Sequence, residues 1–237
     1  MRRSLARLRR PLPLADLQGD SFYDAYWGRR LDLEPDIVTT APARARIVSE
    51  FVQPGWSVLD LGCGDGSFLH CLGQVVPGIQ ARGADVSDRA LEQARARGID
   101  AVRLDLADPG AEVPGTADVV TALEVIEHLP DAERAVLKAA AAAHRYLIVS
   151  VPNLGFVESR ARLLLGRGPN TNVVHHVREH LRQWTVRDFR EWAEHLGLRI
   201  VAERPTRPVG FMRLGRLMPA LFSSGMLYVI EGRSTNE

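Results

Sequence analysis

Val58-Leu59-Asp60-Leu61-Gly62-Cys63-Gly64-Asp65-Gly66 is an apolar strand that runs into an acidic turn with glycine at every second position. Gly62, Gly64 and Gly66 lack a Cβ and reach positive φ at little cost, so the main chain can bend sharply there and let a ligand approach. Asp60 and Asp65 make the same turn acidic. A turn built to face a pyrophosphate keeps its amides and helix N-terminus clear of carboxylates. The partner of this turn is therefore expected to be cationic, or rich in hydroxyl and amine donors. Ser67 also stands where a dinucleotide-binding pattern has its third glycine, which counts against a nicotinamide-dependent oxidoreductase.

Outward from this stretch, the chain alternates strands and helices, the pattern of a parallel sheet covered on both faces. Gln53-Pro54-Gly55 turns the chain into a strand over 57–61. A helix over 67–72, a strand over 80–84, a helix over 87–97 and a strand over 101–104 follow. Ser87 reads as the N-cap of that second helix and Gly98 as its stop. Then come a strand over 118–122, an alanine-rich helix over 131–144 and a strand over 146–151. A helix over 185–196, ended by Gly197, precedes two late strands over 199–203 and 226–231. Ahead of the sheet, Pro42 to Phe51 is amphipathic. Ser21 to Trp27 gathers aromatics in a chain that is only 6% aromatic, and reads either as a helix on the sheet edge or as a lid over a ligand.

With 237 residues, 46% hydrophobic and 25% charged, the chain suits one α/β domain with additions. Five of its 30 basic residues, all arginine, fall in the first ten positions, leaving 25 basic against 29 acidic groups. That body is mildly acidic, which argues against nucleic acid as the main partner, because phosphate contacts need a basic face. No apolar run approaches a membrane span and Pro11 to Leu14 is too short for a signal-peptide core, so a cytoplasmic protein without membrane attachment is expected. Cys63 and Cys71 lack the spacing of a zinc site and read as free thiols. The expected organisation is a flexible basic tail over 1–20, a helical cap over 21–52 and a ligand-binding domain over 53–237.

In an open parallel sheet the ligand sits beyond the carboxyl ends of the strands. The first strand presents Asp60, Gly62, Cys63, Gly64 and Asp65 there, the second Asp85 and Val86, the third Asp105 and Leu106, and the fourth Glu124. Asp85 follows the glycine turn by roughly 20 residues, where an acid can accept both ribose hydroxyls. The turn resembles the first motif of the class I S-adenosylmethionine-dependent methyltransferases. Leu123-Glu124-Val125-Ile126-Glu127-His128-Leu129-Pro130 is similar to their fourth motif. The resemblance implies a Rossmann-like, seven-stranded, mostly parallel sheet with an antiparallel last strand and helices on both faces. It also implies S-adenosylmethionine as cofactor, S-adenosylhomocysteine as product, a methionine moiety held at the glycine turn, and Asp105 near the adenine amine. Glu124 then lies near the sulfonium. His128 reads either as a general base, by its pKa near 6.5, or as a loop-shaping residue.

Ser150-Val151-Pro152-Asn153-Leu154-Gly155, Arg162 to Arg167, His180-Leu181 and Thr185 to Phe189 resemble MetW-type proteins of methionine biosynthesis. That resemblance implies a second reading, a non-catalytic subunit that activates a homoserine acyltransferase partner. The Glu-Val-Ile-Glu-His-Leu segment, which MetW-type sequences generally lack, and about 50 residues ahead of the first strand favour the enzyme. Its expected acceptor is a small molecule, contacted by Tyr23, Tyr26, Trp27, His175, His176 and His180. The three histidines read as an exposed loop, since no cysteine and only Glu179 accompany them, and no metal is expected. Trp184 and Trp192 read as core.

Overall fold

The computed structural model describes residues 23–24, 26–28, 40–169, 180–207 and 218–232. The tail over 1–20 and the pair His175 and His176 lie outside the described residues.

Seven strands form one sheet in the order β3-β2-β1-β4-β5-β7-β6. They are β1 (Ser57–Leu61), β2 (Gln80–Asp85), β3 (Asp100–Arg103), β4 (Ala117–Leu123), β5 (Ala143–Pro152), β6 (Ile200–Pro205) and β7 (Gly225–Glu231). The first five pair in parallel. β7 runs antiparallel between β5 and β6. The Rossmann-like sheet with an antiparallel last strand thus stands as the sequence implies. The helices are α1 (Ala41–Val48), α2 (Ser67–Val75), α3 (Asp88–Ala96), α4 (Ala132–Ala142), α5 (Val157–Leu164), α6 (Val186–His195) and the short α7 (Pro219–Phe222). Strands and helices fall within a few residues of the expected bounds. α5 and α7 are additions that the sequence patterns do not reveal.

Strand periodicity divides the core into two layers. Leu59, Leu61, Val120 and Ala122 pack with α4 and α6 on one face, where Trp184 and Phe189 are buried and Trp192 joins them. Both tryptophans are therefore core, as expected. Val58 and Val119 point to the other face, against α2, α3 and the buried residues Ala45, Val48 and Val52 at and beyond α1. The segment carrying α1 thus contributes to the core of the sheet. α6 begins at a capping box, in which Thr185 Oγ1 accepts from the Asp188 amide and Asp188 Oδ2 accepts from the Thr185 amide. α3 is capped by Ser87, whose Oγ accepts from the Ala90 amide.

One buried side chain links the end of β5 to α7. Asn153 Nδ2 donates to the carbonyls of Ala220 and Ser223, and its Oδ1 accepts from the Gly155 amide. Each polar atom of this buried amide is satisfied, as burial requires. Those bonds tie the end of β5 to residues nearly 70 positions further along the chain.

Candidate functional site

The glycine turn closes by its own backbone. Gly62 and Cys63 both donate to the Ala84 carbonyl, at 2.7 and 3.0 Å, so β1 ends where β2 ends. Gly62, Gly64 and Gly66 all take positive φ. Close approach matters at two of them. A Cβ on Gly62 would fall 2.4 Å from Val125 Cγ2, and one on Gly64 would fall 2.3 Å from the Trp27 ring. The first contact brings the loop after β4 onto the turn, and the second lays the aromatic segment over it.

Asp60 and Thr121 are register partners on β1 and β4, and the Thr121 hydroxyl donates to Asp60 Oδ1 at 2.6 Å. Burial pushes the Asp60 carboxyl up to about 7, against the pull of that bond. Asp85 accepts from the Gly64 amide at 2.8 Å and the Ser87 amide at 2.9 Å. It is 7% exposed, and burial raises its pKa although the amides of Ser87, Gly64 and Val86 oppose the rise. A carboxylate has about four acceptor positions, so these amides do not exhaust it. Leu104 donates to the Asp85 carbonyl, which sets Asp105 beside β2. Asp105 itself accepts from the Ala107 amide, and Val86 and Leu106 are half-buried nearby in the chain.

Two predicted contacts of the turn face elsewhere. Asp65 accepts from the amide and hydroxyl of Ser67 and pairs with Arg97 at 3.2 Å, so its carboxylate braces α2 and α3. Cys63 points at Gly83, where a Cβ would meet its Sγ at 2.6 Å, and belongs to the core. Burial pushes its thiol up, which leaves it neutral. Of Cys63 only the backbone lies in the turn.

Beyond β4, Glu124 adopts φ 60°, the sole non-glycine residue with positive φ among the described residues. Holding it there costs of order 1–3 kcal/mol. Its amide donates to the Ser150 carbonyl and its Oε1 accepts from the Ser150 hydroxyl at 3.1 Å. Its Oε2 faces two cations, Arg44 at 3.7 Å and Arg207 at 3.3 Å. Arg44 is the residue that the motifs miss. It stands on α1 with Ala41, Ala45 and Val48, the inward face of that helix, and burial lowers its pKa against the opposing pull of Glu124. A lone arginine at that spacing on an apolar face was the available signal.

Glu127 and His128 lie on a 3₁₀ turn over Ile126–His128. Glu127 is fully buried, and burial together with the nearby Glu124 pushes its carboxyl well above the usual range. His128 Nε2 lies 3.8 Å from Glu127 Oε1, and the His128 ring meets His180 edge to face at 4.9 Å. His180 is thus brought to the fourth-motif loop. The aromatic segment lies at the other side of the turn. Tyr26 and Trp27 pack edge to face at 5.8 Å, and Asp24 accepts from the Ser87 hydroxyl at 2.5 Å. The segment, which includes Tyr23, thus lies over Gly64 and the start of α3. An open groove of about 440 Å³ lies instead between α6 and the edge strand β6, away from these carboxylates.

Residues 43–230 match the family "Methionine biosynthesis protein MetW". The ubiquinone biosynthesis O-methyltransferase of Bordetella pertussis is 38% identical over 95 residues, covering 38% of this chain and 39% of that protein. Its counterpart in Chromobacterium violaceum is 35% identical over 118 residues, covering 47% and 50%. The matches thus span half or less of these relatives. Among solved structures, magnesium protoporphyrin IX methyltransferase from Synechocystis PCC 6803 with bound S-adenosylhomocysteine superposes with a TM-score of 0.56 at 19% identity, covering 97% of this chain and 93% of that one. An S-adenosylmethionine-dependent methyltransferase from Mesorhizobium loti gives 0.55 at 19%, covering 80% and 97%. The chain belongs to the MetW family and has the class I S-adenosylmethionine-dependent methyltransferase fold.

Proposed function

We propose that the protein binds S-adenosylmethionine against the acidic turn and transfers its methyl group to a small-molecule acceptor. The observation that carries this reading is the joint placement, at the carboxyl ends of β1, β2 and β4, of a glycine turn, the buried acceptor Asp85, and Asp60 and Glu124 beside the half-buried cation Arg44. S-adenosylmethionine supplies an activated sulfonium whose methyl is displaced in line. Asp85 accepts from the ribose hydroxyls. Arg44 matches the methionine carboxylate, and Glu124 and Asp60 match its ammonium and sulfonium. Val86, Asp105 and Leu106 lie toward the adenine. Trp27, with Tyr23 and Tyr26, covers the turn and excludes water.

Alignment of acceptor and methyl supplies effective molarities of about 10⁵–10⁸ M, against about 10²–10⁴-fold from a general base. Catalysis therefore does not depend on His128 as that base. The buried Cys63 thiol is not a nucleophile here. Calorimetry with S-adenosylhomocysteine is expected to give micromolar affinity, lost by at least tenfold in Asp85→Ala with folding intact. A folded protein with no affinity for either form of the cofactor would sink the reading. Incubation with methyl-labelled S-adenosylmethionine and a metabolite extract then reveals the acceptor.

The family match over 43–230 supports a second reading, an activating subunit of a homoserine acyltransferase. It shares the cofactor site. Co-purification with, and stimulation of, such a partner, without label transfer to any metabolite, favours it.

A further inference from the structure

Glu127 is the most deeply buried carboxyl group among the described residues, and neither of its oxygens has a hydrogen-bond partner. A buried carboxyl either stays neutral or, as a carboxylate, is paired or coordinates a metal. Arg44 and Arg207 stand near it but are engaged on Glu124. What Glu127 does face is a pair of imidazoles. One donor atom from each of Glu127, His128 and His180 lies within 4.8 Å of the others.

The fold builds this convergence from separate elements. The 3₁₀ turn after β4 carries Glu127 and His128, while His180 enters from the segment before α6. Two residues past His180, the Arg182 amide donates to the Glu127 carbonyl at 3.1 Å. The Arg182 guanidinium then holds Glu133 Oε1 and the Pro130 carbonyl. These bonds tie the chain just after His180 to the fourth-motif loop. Tetrahedral donors 2.0–2.2 Å from a common ion lie about 3.3–3.6 Å apart. The 3.8 Å between Glu127 Oε1 and His128 Nε2 is close to that spacing, and side-chain rotation by about an ångström brings in a pair as wide as 4.8 Å.

We propose that Glu127, His128 and His180 bind one divalent cation of the zinc and first-row transition-metal class. Two imidazoles and a carboxylate suit those ions, whereas calcium and magnesium take oxygen donors. Three protein donors leave open positions for water. On the methyl-transfer reading, an acceptor oxygen can take one of them. His128 is then a ligand and not a general base. Sequence spacing hides the site because its histidines are far apart in the chain and no cysteine accompanies them.

Cobalt(II) is the probe, since its visible absorption reports nitrogen and oxygen ligation. The full chain, stripped with a chelator, is expected to bind one Co²⁺ with a visible band that one equivalent of Zn²⁺ abolishes. His128→Gln and His180→Gln are each expected to weaken Co²⁺ by at least about tenfold, with cooperative melting retained. Should either variant unfold, Glu127→Gln preserves size and carries the same expectation. A folded protein without the band overturns the proposal. So does a band that survives all three substitutions, or one that only His175→Gln with His176→Gln removes. Calorimetry with S-adenosylhomocysteine on the same samples separates the two readings. Cobalt bound without cofactor affinity leaves the metal site standing and removes the methyl donor, and the converse removes the metal alone.

Discussion

Asp60 is protonated up to about pH 7 in the folded chain, whereas an exposed aspartate titrates near 3.9. From pH 4 to 7 the unfolded state has lost a proton that the native state keeps, so this group lowers stability as pH rises, and the full penalty stands above pH 7. Asp60→Asn removes the penalty and keeps an acceptor for the Thr121 hydroxyl. Urea unfolding is expected to find the variant more stable by about 2–4 kcal/mol at pH 8 and nearly equal at pH 4. Equal stability at both pH values would show that Asp60 is ionised at no cost in the fold. A cationic ligand beside Asp60 should draw that proton off. Cofactor binding near pH 6 is therefore expected to release protons, measurable as heats that vary with the ionisation enthalpy of the buffer.

Two contacts join separate elements over the glycine turn, and each can be tested. Gly62 combines positive φ with Val125 in the space of its missing Cβ. Gly62→Ala is expected to destabilise by about 2–4 kcal/mol, combining left-handed strain of about 1–2 kcal/mol with overpacking. Adding Val125→Ala should recover the packing part only, and denaturant titrations of the double variant measure it. Trp27 covers Gly64, while Asp24 anchors the same segment at the start of α3. Trp27→Ala is expected to leave the melting temperature within a few degrees while S-adenosylhomocysteine dissociates about tenfold faster in stopped flow. An unchanged rate would make the segment a structural brace.

Across the whole molecule, the late half of the chain completes the sheet through an aromatic cluster. Phe189 on α6 stacks on Tyr228 of β7 at 3.9 Å and meets Trp184 and Trp192. Phe189→Ala is expected to cost about 3–5 kcal/mol in chemical unfolding, with cofactor affinity of the folded fraction unchanged. The alternation of strands and helices was legible in the sequence because two-residue and 3.6-residue periods are written locally. The glycine turn and the acids at strand ends were legible for the same reason, since each follows its own strand. α7 was not, because it is joined to Asn153 nearly 70 residues away. By itself, then, the sequence determined the order of elements and the line of carboxylates. Only the tertiary structure decided that Asp65 and Cys63 turn inward, that Arg44 faces Glu124, and that His180 meets His128 beside Glu127. Those outcomes turn on side-chain direction and on contacts between distant segments, where burial and charge pairing choose among partners that no local pattern names.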